Sequence, residues 1–263
     1  MLIKILCVGD IVGAEAAGLV ARRLWSVRGA LDADVCIVNG ENAAADGVGI
    51  DVKTAEDLLA GGADVITTGN HIWRKREIRD YLEREERVLR PANYPPGTPG
   101  SGYVVINVSS YRLLVMNILG SLYMEALGDP FAAAESILAR EKGRYDIAVL
   151  DFHAEATSEK AAMAHFFDGR IQAVFGTHTH CQTNDARILP GGAGAVTDIG
   201  FTGPVESILG MKIPLILKRM TTKLPEKYEV AEGNIRLSGA VFTVDTETKR
   251  CAAAELVNMP IEK

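Results

Sequence analysis

Ile171-Gln172-Ala173-Val174-Phe175-Gly176-Thr177-His178-Thr179-His180 joins a short apolar run to a glycine and two histidines. The apolar half reads as a buried strand and the polar half as the segment that leaves it. The same arrangement recurs along the chain. Residues 3–8 precede Gly9-Asp10, residues 34–38 precede Gly40-Glu41-Asn42, residues 63–67 precede Gly69-Asn70-His71, and residues 145–150 precede Asp151-Phe152-His153. In open α/β sheets, ligands bind beyond the carboxyl ends of strands, so these five polar segments are placed to converge on one crevice. The glycine that opens four of them lets the backbone turn sharply and lets a ligand approach closely.

Outward from these segments, a sixth apolar run covers residues 193–197, and helix signals fill the intervals. Asp129 before Pro130 is an N-cap with proline at the first helical position, Pro204 after Gly203 is expected to open a short helix in the same way, and Gly61 and Gly62 stop the helix before them. Residues 103–108 and 112–118 flank a polar turn, as do residues 236–244 and 250–257, and both pairs read as antiparallel hairpins. The expectation is therefore an α/β fold with mixed sheets beneath helices. Residues 90–102 hold Pro91, Pro95, Pro96 and Pro99 and read as a loop between elements. No composition shift marks a boundary there, so residues 1–263 are expected to form a single domain without repeats.

Lys plus Arg is 28 against 34 Asp plus Glu, a net charge of -6. That balance lacks the basic excess of a protein gripping a nucleic-acid backbone, so a small phosphorylated substrate is expected and no long nucleic acid. No apolar run approaches the roughly 18 residues that cross a bilayer, and residues 1–8 lead into a strand instead of a basic and then apolar leader, so no membrane partner and a cytoplasmic location are expected. Cys7, Cys36, Cys181 and Cys251 form no close pair, which argues against a zinc knuckle or a disulfide framework; Cys7 and Cys36 read as buried thiols.

Of 5 histidines, His71, His153, His178 and His180 fall in the strand-end segments, while His165 sits in a helix-like stretch away from them. Packing does not explain such concentration. In extended backbone His178 and His180 project to the same side, which suits neighbouring metal ions. The donors are carboxylate, amide and imidazole, a mixture that favours Mn²⁺, Fe or Zn²⁺ over Ca²⁺. Cys181 reads as a neighbour pointing away. Gly9-Asp10-Ile11-Val12-Gly13 lacks the three spaced glycines of a dinucleotide turn, no Gly-Lys-Thr loop is present, and no Ser lies between glycines as a nucleophile elbow.

These motifs in combination resemble the calcineurin-like metallophosphoesterase superfamily, and within it the YmdB-type family of 2′,3′-cyclic-nucleotide phosphodiesterases, over nearly the whole chain. Val12 in place of the first-motif histidine, Glu41-Asn42 in the second motif and Ile72 after His71 depart from the wider superfamily; the first two mark the YmdB-type branch. The resemblance implies a sandwich of two mixed β-sheets flanked by helices and two divalent metal ions per chain, Fe or Mn, with Zn an alternative. It implies one ion on Asp10, Glu41, Asn42 and His180, and the other on Glu41, Asn70, His153 and His178, with Glu41 bridging. It further implies His71 as general acid, metal activation of the attacking water, and a homo-oligomer. Two other readings stand beside the diesterase: a phosphomonoesterase or nucleotide phosphatase, and a metal-stabilised regulatory protein with little turnover. Substrate choice is expected to rest on loops such as 90–102 and 201–212.

Overall fold

The structure is a computed structural model that describes residues 1–262. Alternating apolar residues set the first strand, β1 (Leu2–Val8): Ile3, Ile5 and Cys7 enter one hydrophobic layer, and Leu6 and Val8 enter another. The chain continues through β2 (Asp10–Ile11), α1 (Gly13–Leu31), β3 (Val35–Asn39), α2 (Val52–Ala60), β4 (Val65–Thr67) and the short α3 (Ile78–Leu82). After the irregular segment 83–102 come β5 (Tyr103–Val108), β6 (Tyr111–Leu119), α4 (Pro130–Arg140), β7 (Ile147–His153), α5 (Thr157–Phe166) and β8 (Ala173–Thr177). It ends with β9 (Arg187–Ile188), β10 (Gly194–Val196), β11 (Phe201–Pro204), α6 (Ile213–Thr222), β12 (Ile235–Asp245) and β13 (Arg250–Ile261).

One sheet runs β2-β11-β12-β1-β3-β4, with β13 added beside β12, and the other runs β5-β6-β7-β8-β10-β9. β1, β3 and β4 are parallel and β12 is antiparallel to β1. β6, β7, β8 and β10 are parallel, whereas β5 and β9 pair antiparallel at the edges. Both sheets are thus mixed. Between them lies a core that includes Ile5, Ile37, Val115, Val149 and Phe175, the last stacked on Phe242 with ring centroids 6.3 Å apart. α1 and α2 cover the outer face of the first sheet, and α4 and α5 that of the second. The expected sandwich of two mixed sheets flanked by helices is what the chain forms.

Asp129 caps α4 by accepting from Ala132 N at 2.9 Å, and α2 stops at Gly61, followed by Gly62 at φ +115°. Both hairpins form with their strands paired antiparallel. Two expectations need correction. Pro204 ends β11 and opens no helix; it lies past the reach of β2, which pairs only with Phe201 and Thr202, so its missing N–H costs the ladder nothing. Residues 201–212 are therefore not wholly loop. β7 also runs on through Asp151, Phe152 and His153, all fully buried, so this polar segment is the end of the strand itself. Among the described residues no helix is long and apolar enough to cross a membrane.

Candidate metal centre

The carboxyl ends of β1, β3 and β4 in one sheet, and of β7 and β8 in the other, meet at one edge of the sandwich and bring all eight expected residues together. His178 N donates to Asp10 Oδ2 at 3.1 Å. His153 Nε2 lies 3.1 Å from His178 Nδ1, 3.2 Å from Asn70 Oδ1 and 3.6 Å from Glu41 Oε1. Glu41 Oε1 accepts from His71 N at 2.8 Å and stands 3.0 Å from His71 Nδ1. His71 Nδ1 donates to Asn42 Oδ1 at 2.8 Å, and Asn42 Nδ2 donates to His180 Nε2 at 3.1 Å. His165 is exposed on α5, outside this network, and Cys181 is exposed.

Asp10, Glu41 and His153 are fully buried or nearly so. Burial pushes the Asp10 carboxyl above the usual carboxylate range. For Glu41 burial acts in the same direction, but the His153 and His71 imidazoles outweigh it and hold the carboxyl well below that range. Burial alone would lower His153; Glu41, Asp10 and Asp151 overcome it and raise the imidazole to about 9. His178, with burial and the His153 charge acting together, falls to about 3. The His153 imidazole thus has its charged form favoured by the carboxyl groups around it.

Residues outside the expected set hold this arrangement. Asp151 Oδ2 accepts from Asn39 Nδ2 at 2.9 Å and Thr67 Oγ1 at 2.5 Å, while Oδ1 accepts from Thr177 Oγ1 at 2.7 Å. Thr177 Oγ1 lies 2.9 Å from His153 Nδ1, so the ring presents Nε2 to the cluster. Glu155 Oε2 stands 3.1 Å from His178 Nε2. His180 stacks on Phe201 with centroids 5.2 Å apart. Asp198 contacts Thr179, between the two loop histidines. The signal that picked out the other segments, a polar residue leaving an apolar run, also marks Asp198 after residues 193–197; Lys160 on α5 carries no such signal.

Two local expectations change. His178 and His180 are not in extended backbone: their φ values are 97° and 62°, a left-handed turn beyond β8 that costs about 1–3 kcal/mol per residue for side chains of this kind. The turn sends the two rings to different partners, His178 to His153 and His180 to Asn42. Of the four strand-end glycines, none has a positive φ. Close approach, and not a sharp turn, requires them: a Cβ on Gly69 would fall into the His153 ring.

Among the described residues, no three His, Cys, Asp or Glu side chains already stand in a coordination shell, because the donors hydrogen-bond to one another. The same cluster nevertheless fits cations. Among the described residues the buried side-chain polar atoms without a hydrogen-bond partner are Asp10 Oδ1, Glu41 Oε2 and Asn117 Nδ2. A buried carboxylate oxygen with no donor carries an uncompensated desolvation cost, and two such oxygens beside amide and imidazole donors match a hard-to-borderline divalent ion.

A family model described as YmdB-like protein matches residues 6–257. The chain belongs to this family. A Bacillus subtilis (strain 168) relative, a 2′,3′-cyclic-nucleotide 2′-phosphodiesterase, is 43% identical over 254 residues, covering 97% of this chain and 96% of its own length. The solved structure of a hypothetical protein from Thermus thermophilus is 38% identical with a TM-score of 0.89, over 99% of this chain and 100% of that one. A structure described as a novel phosphatase from Mycoplasma pneumoniae is 30% identical with a TM-score of 0.92, over 100% and 95% of the two chains.

Proposed function

We propose that the chain, as one metallophosphoesterase domain, is a metal-dependent phosphodiesterase that opens 2′,3′-cyclic nucleotides to nucleoside 3′-phosphates. The observation that carries this reading is the pair of orphaned, buried carboxylate oxygens of Asp10 and Glu41 inside a ring of imidazole and amide donors. The activity of the Bacillus subtilis relative supports the choice of substrate.

Asp10, Glu41, Asn42 and His180 would hold one divalent ion, and Glu41, Asn70, His153 and His178 the other, iron or manganese, with Glu41 between them. Bound there, such ions supply an acidified water and positive charge for the phosphoryl oxygens. None of the eight residues of the cluster is Lys or Arg. His71 then has the one proton-transfer task. In ring opening, a water oxygen bonds to phosphorus, the bond from phosphorus to O2′ breaks, and O2′ takes a proton. With Nδ1 held by Asn42 and Glu41 and the side chain 28% exposed, Nε2 is the atom of His71 able to give that proton. Asp10, Glu41, Asn42 and His153 are buried, and Asn70, His178 and His180 half-buried, so the cluster is closed on its inner side and open on the other. A cytoplasmic, homo-oligomeric enzyme acting on small substrates without long nucleic acid completes the reading.

The test is purification without chelator, elemental analysis, and a panel of 2′,3′-cyclic nucleotides, 3′,5′-cyclic nucleotides and simple monoesters assayed with Mn²⁺ or Fe²⁺. Turnover concentrated on the 2′,3′-cyclic compounds is expected. Turnover of monoesters alone would make it a phosphomonoesterase, and negligible turnover throughout would make it a binding protein.

A further inference from the structure

The metal reading above leaves a buried ion pair without a task. Lys160 on α5 and Asp198 after β10 are almost wholly buried and meet at 2.6 Å. Replacing such a pair with apolar residues often leaves a fold as stable or more so, so stability alone is a poor reason for its presence. Its third partner supplies one. Asp198 Oδ2, the oxygen that meets Lys160, also accepts from Thr179 N at 3.2 Å and from Thr179 Oγ1 at 2.7 Å. Asp198 Oδ1 accepts from Gly200 N at 2.8 Å, so both oxygens are engaged and neither is left for a cation.

Thr179 is the residue between His178 and His180, both in the left-handed region at φ 97° and 62°. Held at its amide and its hydroxyl, it is the fixed point of a turn whose two sides deliver imidazoles to different neighbours. The Lys160 stem reaches Asp198 through space that a glycine leaves open: a Cβ on Gly176 would stand 2.7 Å from Lys160 Cδ. Gly176 therefore admits the cation beneath the very loop that carries the donors.

We propose that the Lys160–Asp198 pair is a positioning device for the metal centre, gripping Thr179 so that His178 and His180 are each aimed at a separate ion. The pair does not touch substrate. It acts through backbone geometry, and it rests on the two-ion reading.

Thr179→Val keeps the shape of the side chain and removes the hydroxyl, whereas Thr179→Ser keeps the hydroxyl. Asp198→Asn strands the Lys160 charge in the core and endangers the fold, so the Thr179 pair carries the test. Mn²⁺ binding to the chelator-stripped full chain is measured by calorimetry, alongside thermal melting without metal. Thr179→Val is expected to weaken both Mn²⁺ sites by roughly 10- to 100-fold, the range seen when a group orienting a ligand is lost. Melting of the metal-free chain should stay within about 3 °C of wild type, and Thr179→Ser should bind like wild type. Wild-type affinity in Thr179→Val, equal losses in Val and Ser, or a loss matched by a large fall in melting temperature would overturn the positioning role while leaving the two-ion reading intact. A wild-type chain that binds no Mn²⁺ would sink that reading and this proposal with it.

Discussion

Asp151→Asn replaces a single oxygen by NH₂, and the geometry makes it a test of how His153 is oriented in the proposed metal centre. In the wild type, Thr177 Oγ1 gives its single hydrogen to Asp151 Oδ1 at 2.7 Å and so must accept from His153 Nδ1 at 2.9 Å. His153 keeps its Nδ1 proton, so the proton it yields to a metal is the one on Nε2. An asparagine at 151 places its oxygen where Asn39 Nδ2 and Thr67 Oγ1 converge, at 2.9 and 2.5 Å, which leaves its NH₂ facing Thr177. Thr177 then accepts from the amide and donates to His153 Nδ1, which moves the imidazole proton to Nε2 and blocks coordination. Loss of such a partner lowers metal affinity by roughly 10- to 100-fold, or about 1.4–2.7 kcal/mol. Calorimetric titration of the stripped protein with Mn²⁺ measures this directly, with a melting curve to confirm the fold. A dissociation constant within about twofold of wild type would refute the relay from Asp151 to His153. Acid should produce the same effect in the wild type, because burial, only partly opposed by His153 and the three donors, pushes the Asp151 carboxyl up to about 6. Metal affinity should therefore fall as pH drops through that value.

Other tests address separate parts of the centre. His71→Ala should retain metal and lose about 10²- to 10⁴-fold in rate on cyclic nucleotides, with a smaller loss on nitrophenyl esters that need no acid; equal losses on both would remove the proton-donor role. For Glu41→Ala, elemental analysis should find both ions depleted, and full occupancy would contradict bridging. His153, raised to about 9, is protonated at neutral pH in the metal-free chain, so adding Mn²⁺ in weak buffer near pH 7 should release close to one proton from it. The sign of the linkage is that of a raised imidazole: its stabilisation of the metal-free chain is complete below its ordinary value of about 6.5 and disappears as pH rises through about 9. Melting temperatures that rise between these limits would exclude it.

The meeting of these side chains is legible because buried strands are short apolar runs and their exits are marked by polar residues; Asp10, Glu41, Asn70 and His71 follow that rule, and all lie in the cluster. What escaped depends on partners distant in sequence. The left-handed turn at His178 and His180 cannot be read from Thr-His-Thr-His, since it is the Asp198 carboxylate, 19 residues beyond Thr179, that holds the residue between them. Asp151 opens the Asp-Phe-His segment, but its task follows only from the meeting of Asn39, Thr67 and Thr177 around it. Pro204 misled because glycine followed by proline opens helices locally, whereas here the pairing of β11 with β12 decides the backbone.

The donor cluster straddles the joint between two sheets, with Asp10, Glu41, Asn42 and Asn70 supplied from one side and His153, His178 and His180 from the other. Any slippage of one sheet across its counterpart would shift the first four residues against the last three together. Phe175, stacked on Phe242, lies in the core between the two sheets, so the spacing across the cluster depends on how closely the sheets pack at that contact.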